Sequence, residues 1–291
     1  MRRTPSESLS TFATCGALTS YLVVNKESLL ALLGASQDVH LQDVQRCLAR
    51  GRSLEAFDQD RAKWIMDSDQ VRAWLKHPKS RVLLINGNSD EHETFGPTSF
   101  LAALILDSLE DIEPIITLHF FCSLHITTKE GIADDAIGIM KSLIVQILLS
   151  SMDWDLSAPD RYDTQQLGIS ELEALCGLLR LLVKQMPPMT LLFLIIDGIT
   201  LYERTQRCQS FLKAIKEVID IMDDFPQLVM KLLLTCHGRS SFVRDYVDRE
   251  DTLTVPADVD GDCQGGSEHT WKGGIGRDVK GFGDATANDA S

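Results

Sequence analysis

Arg81-Val82-Leu83-Leu84-Ile85-Asn86-Gly87-Asn88-Ser89-Asp90-Glu91-His92-Glu93-Thr94-Phe95-Gly96-Pro97-Thr98-Ser99-Phe100-Leu101-Ala102-Ala103-Leu104-Ile105-Leu106 decides the fold. Val82 to Ile85 reads as a buried strand, Gly87 opens a loop, and Thr98-Ser99 begins an amphipathic helical run. A strand, a glycine loop and a helix in that order can cradle phosphates, because loop N–H groups and the helix N-terminus converge on an anion. The chemistry of the loop opposes this. It holds no lysine, and Asp90, Glu91 and Glu93 place negative charge where phosphates would sit. Each such charge costs an anion about 1 kcal/mol or more at short range.

A working phosphate loop needs glycines for backbone approach, a lysine and a magnesium-side hydroxyl, spaced G-x-x-x-x-G-K-[ST]. Counting forward from Gly87 puts His92 in the second glycine place, Glu93 in the lysine place and Thr94 at the hydroxyl. Counting back from the helix puts Gly96 and Pro97 in the Gly-Lys places, with Thr98 as the hydroxyl and a longer loop. The lysine is missing either way. Gly87, Asn88, Ser89, Gly96, Thr98 and Ser99 are the candidate nucleotide contacts, and ATP with Mg2+ is expected to bind weakly or not at all. Thr98 or Ser99 could equally cap the helix.

Outward from this stretch the chain alternates. Residues 1–24 are Ser/Thr-rich and read as a flexible N-terminus, and 25–80 as a helical lead-in, with periodic apolar residues over 25–50 and 56–76. His77-Pro78-Lys79-Ser80 breaks the pattern before the first strand. Ile115 to Phe121, Leu191 to Ile196 and Met230 to Thr235 are continuous apolar strands, and Thr252 to Val255 reads as an edge strand. Helical patterns lie between them, at Ala136 to Ser150, from Ser170 (capped by Glu173) to Met186, and at Arg204 to Asp224. The Leu-rich run Leu172 to Val183 reads as core. Strands alternating with helices predict an α/β fold, a parallel sheet with helices on both faces. From Ala257 the texture turns to Gly, Asp and Ser, so 257–291 is expected to be a disordered tail.

In such a sheet, ligands sit at the carboxyl ends of the strands. Leu191 to Ile196 ends on Asp197-Gly198, where an aspartate would hold magnesium; Thr200 and Leu201 stand where a water-polarising acid would follow, and Glu203 is off that spacing. Leu232 to Thr235 runs into Cys236-His237-Gly238-Arg239, with Arg239 as a candidate sensor of the terminal phosphate. Phe57-Asp58-Gln59-Asp60-Arg61-Ala62-Lys63-Trp64, Trp74-Leu75, Phe120-Phe121-Cys122, Ile196-Asp197-Gly198 and Leu234-Thr235-Cys236-His237-Gly238-Arg239 together resemble the NACHT-type STAND ATPases, specifically fungal proteins with a nephrocystin-3-like N-terminal domain, over about Leu54 to Val255. The resemblance implies a P-loop NTPase-like domain over 81–256, a regulatory nucleotide switch that self-associates or engages protein partners in signalling, self/non-self recognition or cell death. It implies Asp197 and Thr98 as magnesium-side groups. The chain departs from that pattern at the lysine and at the second acid, which argues against efficient hydrolysis and leaves no residue assigned as catalytic. An ATPase using the longer loop, with Thr98 or Ser99, Asp197 and Arg239, is the second reading, and a plain helical interaction module the third. No winged-helix or repeat region follows the domain here, so the tail reads as a truncation or a gene-model artefact.

Composition limits the partners. A formal net charge of -14 with 44% hydrophobic and 24% charged residues is that of a globular domain and argues against nucleic-acid or anionic-membrane surfaces. The seven cysteines are dispersed, without a CxxC pair, and read as reduced buried thiols of a cytoplasmic protein. Cys122 with His125, and Cys236 with His237, do not make a zinc pattern. No apolar run approaches the ~20 residues of a membrane span. Met1-Arg2-Arg3 begins like a presequence, but Glu7 interrupts it.

Overall fold

Four apolar runs with no room for alternation become the core strands of one sheet. The computed structural model describes residues 25–34, 39–89, 95–110, 112, 114–125, 136–156, 171–204, 208–259 and 271–279. Strands β1 (Arg81–Asn86), β2 (Ile115–Phe121), β3 (Leu191–Asp197), β4 (Val229–Cys236) and the short β5 (Thr252–Thr254) form a parallel five-stranded sheet in the order β2-β3-β4-β1-β5. Helices cover both faces, so strand residues of either parity are buried and the sequence reads as apolar throughout. Leu192, Leu194 and Ile196 of β3 face one layer, while Leu191, Phe193 and Ile195 face the other.

The first layer holds α1 (Lys26–Leu32), α6 (Ala136–Leu149), α7 (Glu171–Lys184) and α9 (Cys208–Asp224). Leu172, Leu175, Leu178, Leu179 and Leu182 of α7 lie in its core, as their spacing predicts. The second layer is built on α5 (Pro97–Leu109) under α2 (Val39–Gly51), α3 (Ala56–Asp67) and α4 (Asp69–Lys76). Ser68 divides the helical stretch at 56–76. Its backbone is extended, and its hydroxyl accepts from Val71 N to cap α4.

Two sequence expectations change here. Helix α5 is not amphipathic: its residues are buried on nearly every side, because α2 and α3 cover the surface turned from the sheet. Gly51 closes α2 directly over Phe100, where a Cβ would come within 1.9 Å of the ring. The tail also departs from expectation at 271–279, which forms a further helix, α10. Trp271 packs edge-on against Phe100 at 6.4 Å, Ile275 and Val279 are buried in the α5 layer, and Lys76 pairs with Asp278 at 3.0 Å. The spacing 271, 275, 279 is one helix face. The remaining tail, the N-terminal 24 residues and Ser170 lie outside the described residues.

Lys231 is the one charged side chain within β4. It is fully buried, and its ammonium donates to the carbonyls of His77 and Lys79 in the turn before β1. Burial, reinforced by the Arg81 charge, pushes its pKa down to about 7. Among the described residues no helix is long and apolar enough to cross a membrane.

His119, near the middle of edge strand β2, is buried beneath α2, and burial lowers its pKa from 6.5 to about 4. The unfolded chain therefore binds a proton between pH 6.5 and 4 that the folded chain excludes. Stability present above that window is lost as the pH falls through it, by about 3 kcal/mol from this group. Urea titrations at pH 7, 5.5 and 4.5 are expected to show that decline, with a shallower one for His119→Leu.

Candidate functional site

The loops after β1, β3 and β4 meet at the carboxyl ends of the central strands, and Asp197 lies at their junction. It is the last residue of β3 and is fully buried. Ser99, in the first turn of α5, donates its hydroxyl hydrogen bond to Asp197 Oδ2 at 2.6 Å; Thr235 of β4 donates to Oδ1 at 2.5 Å. Gly198 and Ile199 then both donate their N–H groups to the Thr235 carbonyl at 3.0 Å. Gly198 follows with φ of +75°, a turn that favours glycine.

Gly87 is required by close approach. A Cβ there would lie 2.5 Å from the His237 carbonyl oxygen and 2.7 Å from that of Cys236. The loop then runs along the end of β4. Gly87 N donates to Cys236 O at 2.8 Å, Asn88 N to Gly238 O at 3.0 Å and Ser89 N to His237 O at 2.8 Å. These three N–H groups are thus committed to carbonyls. Asn88 has φ of 56°, and its side-chain oxygen accepts from Arg239 Nε at 3.1 Å. Arg61 of α3, itself buried, donates to the Gly87 carbonyl and to those of Pro256 and Ala257. It joins the lead-in helices to the loop and to the chain leaving β5.

Gly96 is the N-cap of α5, with no side-chain cap, and Pro97 holds its first position. Of the two hydroxyls that follow, only that of Ser99 meets Asp197. The Thr98 hydroxyl is buried without a hydrogen-bond partner. The structure therefore brings Ser99, Asp197, Gly87 and the 237–239 turn together, with Thr98 beside them. Asp90 to Thr94, including the acids and the forward register of the loop, lie outside the described residues.

Glu203, closing α8 (Thr200–Glu203), has a different task. Its Oε1 accepts from the Ser240 hydroxyl and from Phe242 N and Val243 N, and its Oε2 from Ser241 N, at 2.7–3.0 Å. A carboxylate saturated by one turn is an anchor for that turn.

Sequence reasoning passed over His237 in favour of Arg239. Arg239 is exposed, whereas His237 is 2% exposed, with neither ring nitrogen partnered. A Cβ on Gly198 would lie 3.4 Å from His237 Nε2, which places the ring beside the residue after Asp197. The available signal was its position, the first residue past the last one of a buried central strand. The nearby thiols are inert: burial raises the pKa of Cys122 and Cys236 well above the usual thiol range, with Asp197 adding to the effect.

Glu203→Gln gives this anchor a test. It turns a donor toward donors, so urea unfolding is expected to show a loss of about 1–3 kcal/mol.

A family model described as "Nephrocystin 3, N-terminal" matches residues 60–237 of this chain. No curated protein matches it.

Proposed function

The chain belongs to the nephrocystin 3 N-terminal family, and from that membership and the strand-end geometry we propose that it is an NTPase-fold regulatory module of the NACHT/STAND type that does not turn nucleotide over efficiently. The observation that carries this reading is the Ser99–Asp197 hydrogen bond. Ser99 stands in the magnesium-side hydroxyl place opposite the aspartate, and Thr98 therefore occupies the place of the lysine that neutralises the phosphates.

The site fits half of a magnesium nucleotide. A buried carboxylate with a hydroxyl beside it suits a hydrated divalent cation. The polyphosphate half does not fit. The lysine is replaced by Thr98, and the N–H groups of Gly87, Asn88 and Ser89 are consumed by residues 236–238. Among the described residues just after β3, no acid stands free to polarise an attacking water, since Glu203 is bound by the 240–243 turn. ATP and Mg2+ are accordingly weak ligands, and the module acts through protein partners or self-association, as a scaffold or signalling unit of the fungal recognition type.

A slow ATPase is the second reading, favoured by the unpartnered Thr98 hydroxyl and His237 ring, two buried polar groups that a ligand would satisfy. In that case Ser99 and Asp197 hold the cation side, with His237 or Arg239 toward the phosphates.

Titration with a fluorescent ATP analogue, with and without Mg2+, separates the two. The regulatory reading expects affinity weaker than micromolar and phosphate release at the background rate. Thr98→Lys is expected to tighten binding about tenfold by restoring one positive charge at short range. Micromolar wild-type binding that is lost in Asp197→Asn, together with phosphate release above background, would overturn the regulatory reading.

A further inference from the structure

Strand β2 is an edge of the sheet, and its outward backbone is only partly used. His119 N donates to Gln146 Oε1 at 2.9 Å, and the same carboxamide donates from Nε2 to His119 O at 2.8 Å. The Gln146 side chain thus stands in for the peptide group of a neighbouring strand. Along a strand, alternate residues turn both N–H and C=O to the same edge. Thr117, two positions earlier, therefore presents both groups outward, and nothing among the described residues bonds them.

A cleft of about 530 Å³ opens along this edge, between α2 on one face of the sheet and the end of α6 on the other. Leu41, Val44, Ile116, Leu149 and Met152 supply its apolar walls. His119 also lines it. Its Nε2 lies 2.9 Å from the His40 carbonyl, which can only accept, so Nε2 carries the proton and Nδ1 is a bare acceptor. That Nδ1 has no partner in a residue only 6% exposed. The rim carries Asp107, paired with Lys272, and Glu110, which has no basic partner among the described residues.

The open groups are the backbone donor and the backbone acceptor of Thr117, beside an apolar trough with an acidic rim. A small apolar ligand would leave both unpaired. We propose that the β2 edge binds an extended peptide segment of a partner protein, paired to Thr117, with an apolar side chain in the cleft and a basic residue facing Glu110. Addition of a strand supplies amides in the geometry that Gln146 already imitates. A basic segment also matches the net charge of -14 carried by this chain. The proposal is independent of whether nucleotide binds at the opposite end of the strands.

The test uses the full chain and a fluorescein-labelled, N-acetylated hexapeptide alternating valine and threonine, with lysine at one end, followed by fluorescence anisotropy. Saturable binding is expected, weakened about tenfold or more when alternate peptide amides are N-methylated, since the donor to the Thr117 carbonyl is lost and the methyl group blocks close approach to the edge. Thr117→Pro removes the outward N–H at an edge position that tolerates proline and is expected to weaken binding similarly. Glu110→Lys is expected to reverse the preference between lysine-ended and glutamate-ended peptides. Should the proline variant misfold, the N-methylated peptide still decides on the wild-type chain. Absence of saturable binding up to about 1 mM, or equal binding of the N-methylated peptide, overturns the proposal. So does sedimentation showing a dimer that Thr117→Pro dissociates, which would give the edge to a second copy of the chain.

Discussion

The carboxylate of Asp197 is the constraint on which the strand-end structure depends. A carboxylate removed from water must find donors, and this one finds them in Ser99 of α5 and Thr235 of β4. Three elements far apart in sequence are thereby held in one geometry. Thr235 answers with its own carbonyl, which accepts from Gly198 and Ile199, so the chain leaving β3 is tied back to β4. Of the two hydroxyls at the start of α5, it is that of Ser99 which stands opposite the acid.

Around that point, most polar groups of the described residues are matched with partners inside the fold. The N–H groups of Gly87, Asn88 and Ser89 lie against the carbonyls of 236–238, and Glu203 is bound by the 240–243 turn. Asn86 accepts from Ser240 N at 2.9 Å and through its own carbonyl from Val255 N at 2.9 Å, stitching β1 to both neighbours. Each contact stabilises the fold whether or not a ligand is present. A site whose donors already have internal partners must break them to bind an anion, and that cost adds to the missing lysine charge. The exceptions, Thr98 and His237, are where a ligand would gain most.

The second helical layer links this site to the rest of the chain. Arg61 reaches from α3 to the Gly87 carbonyl, and burial, with the Asp197 charge adding to it, pushes the Cys47 thiol of α2 well above the usual range. Phe100, one residue beyond Ser99, is pressed between Gly51 and Trp271. A change in the lead-in helices or in α10 therefore bears directly on the first turn of α5.

The strands and most helices were legible in the sequence because burial leaves a mark on each residue separately. A doubly covered strand is apolar at every position, α7 repeats leucine at helical spacing, and Asp197-Gly198 ends an apolar run where a turn must follow. The missing lysine was equally plain, and so was the family resemblance carried by those strand ends. What the sequence could not show was pairing. Thr98 and Ser99 are chemically similar neighbours, and only the 100° rotation between helix positions decides which one faces Asp197. Arg239 stood as the sensor candidate through the resemblance; the turn leaves it exposed against Asn88 and buries His237. Glu203, off the spacing of a catalytic acid, is bound by four donors some 40 residues away. The glycine-rich texture around α10 concealed a helix whose three apolar side chains find their partners only against α5 and α4. Composition and periodicity thus determined the α/β architecture, and the sequence of 86–99 the lack of a lysine there. The three-dimensional packing decided which side chains meet, because long-range hydrogen bonds and helix facing are properties of pairs that no single position records.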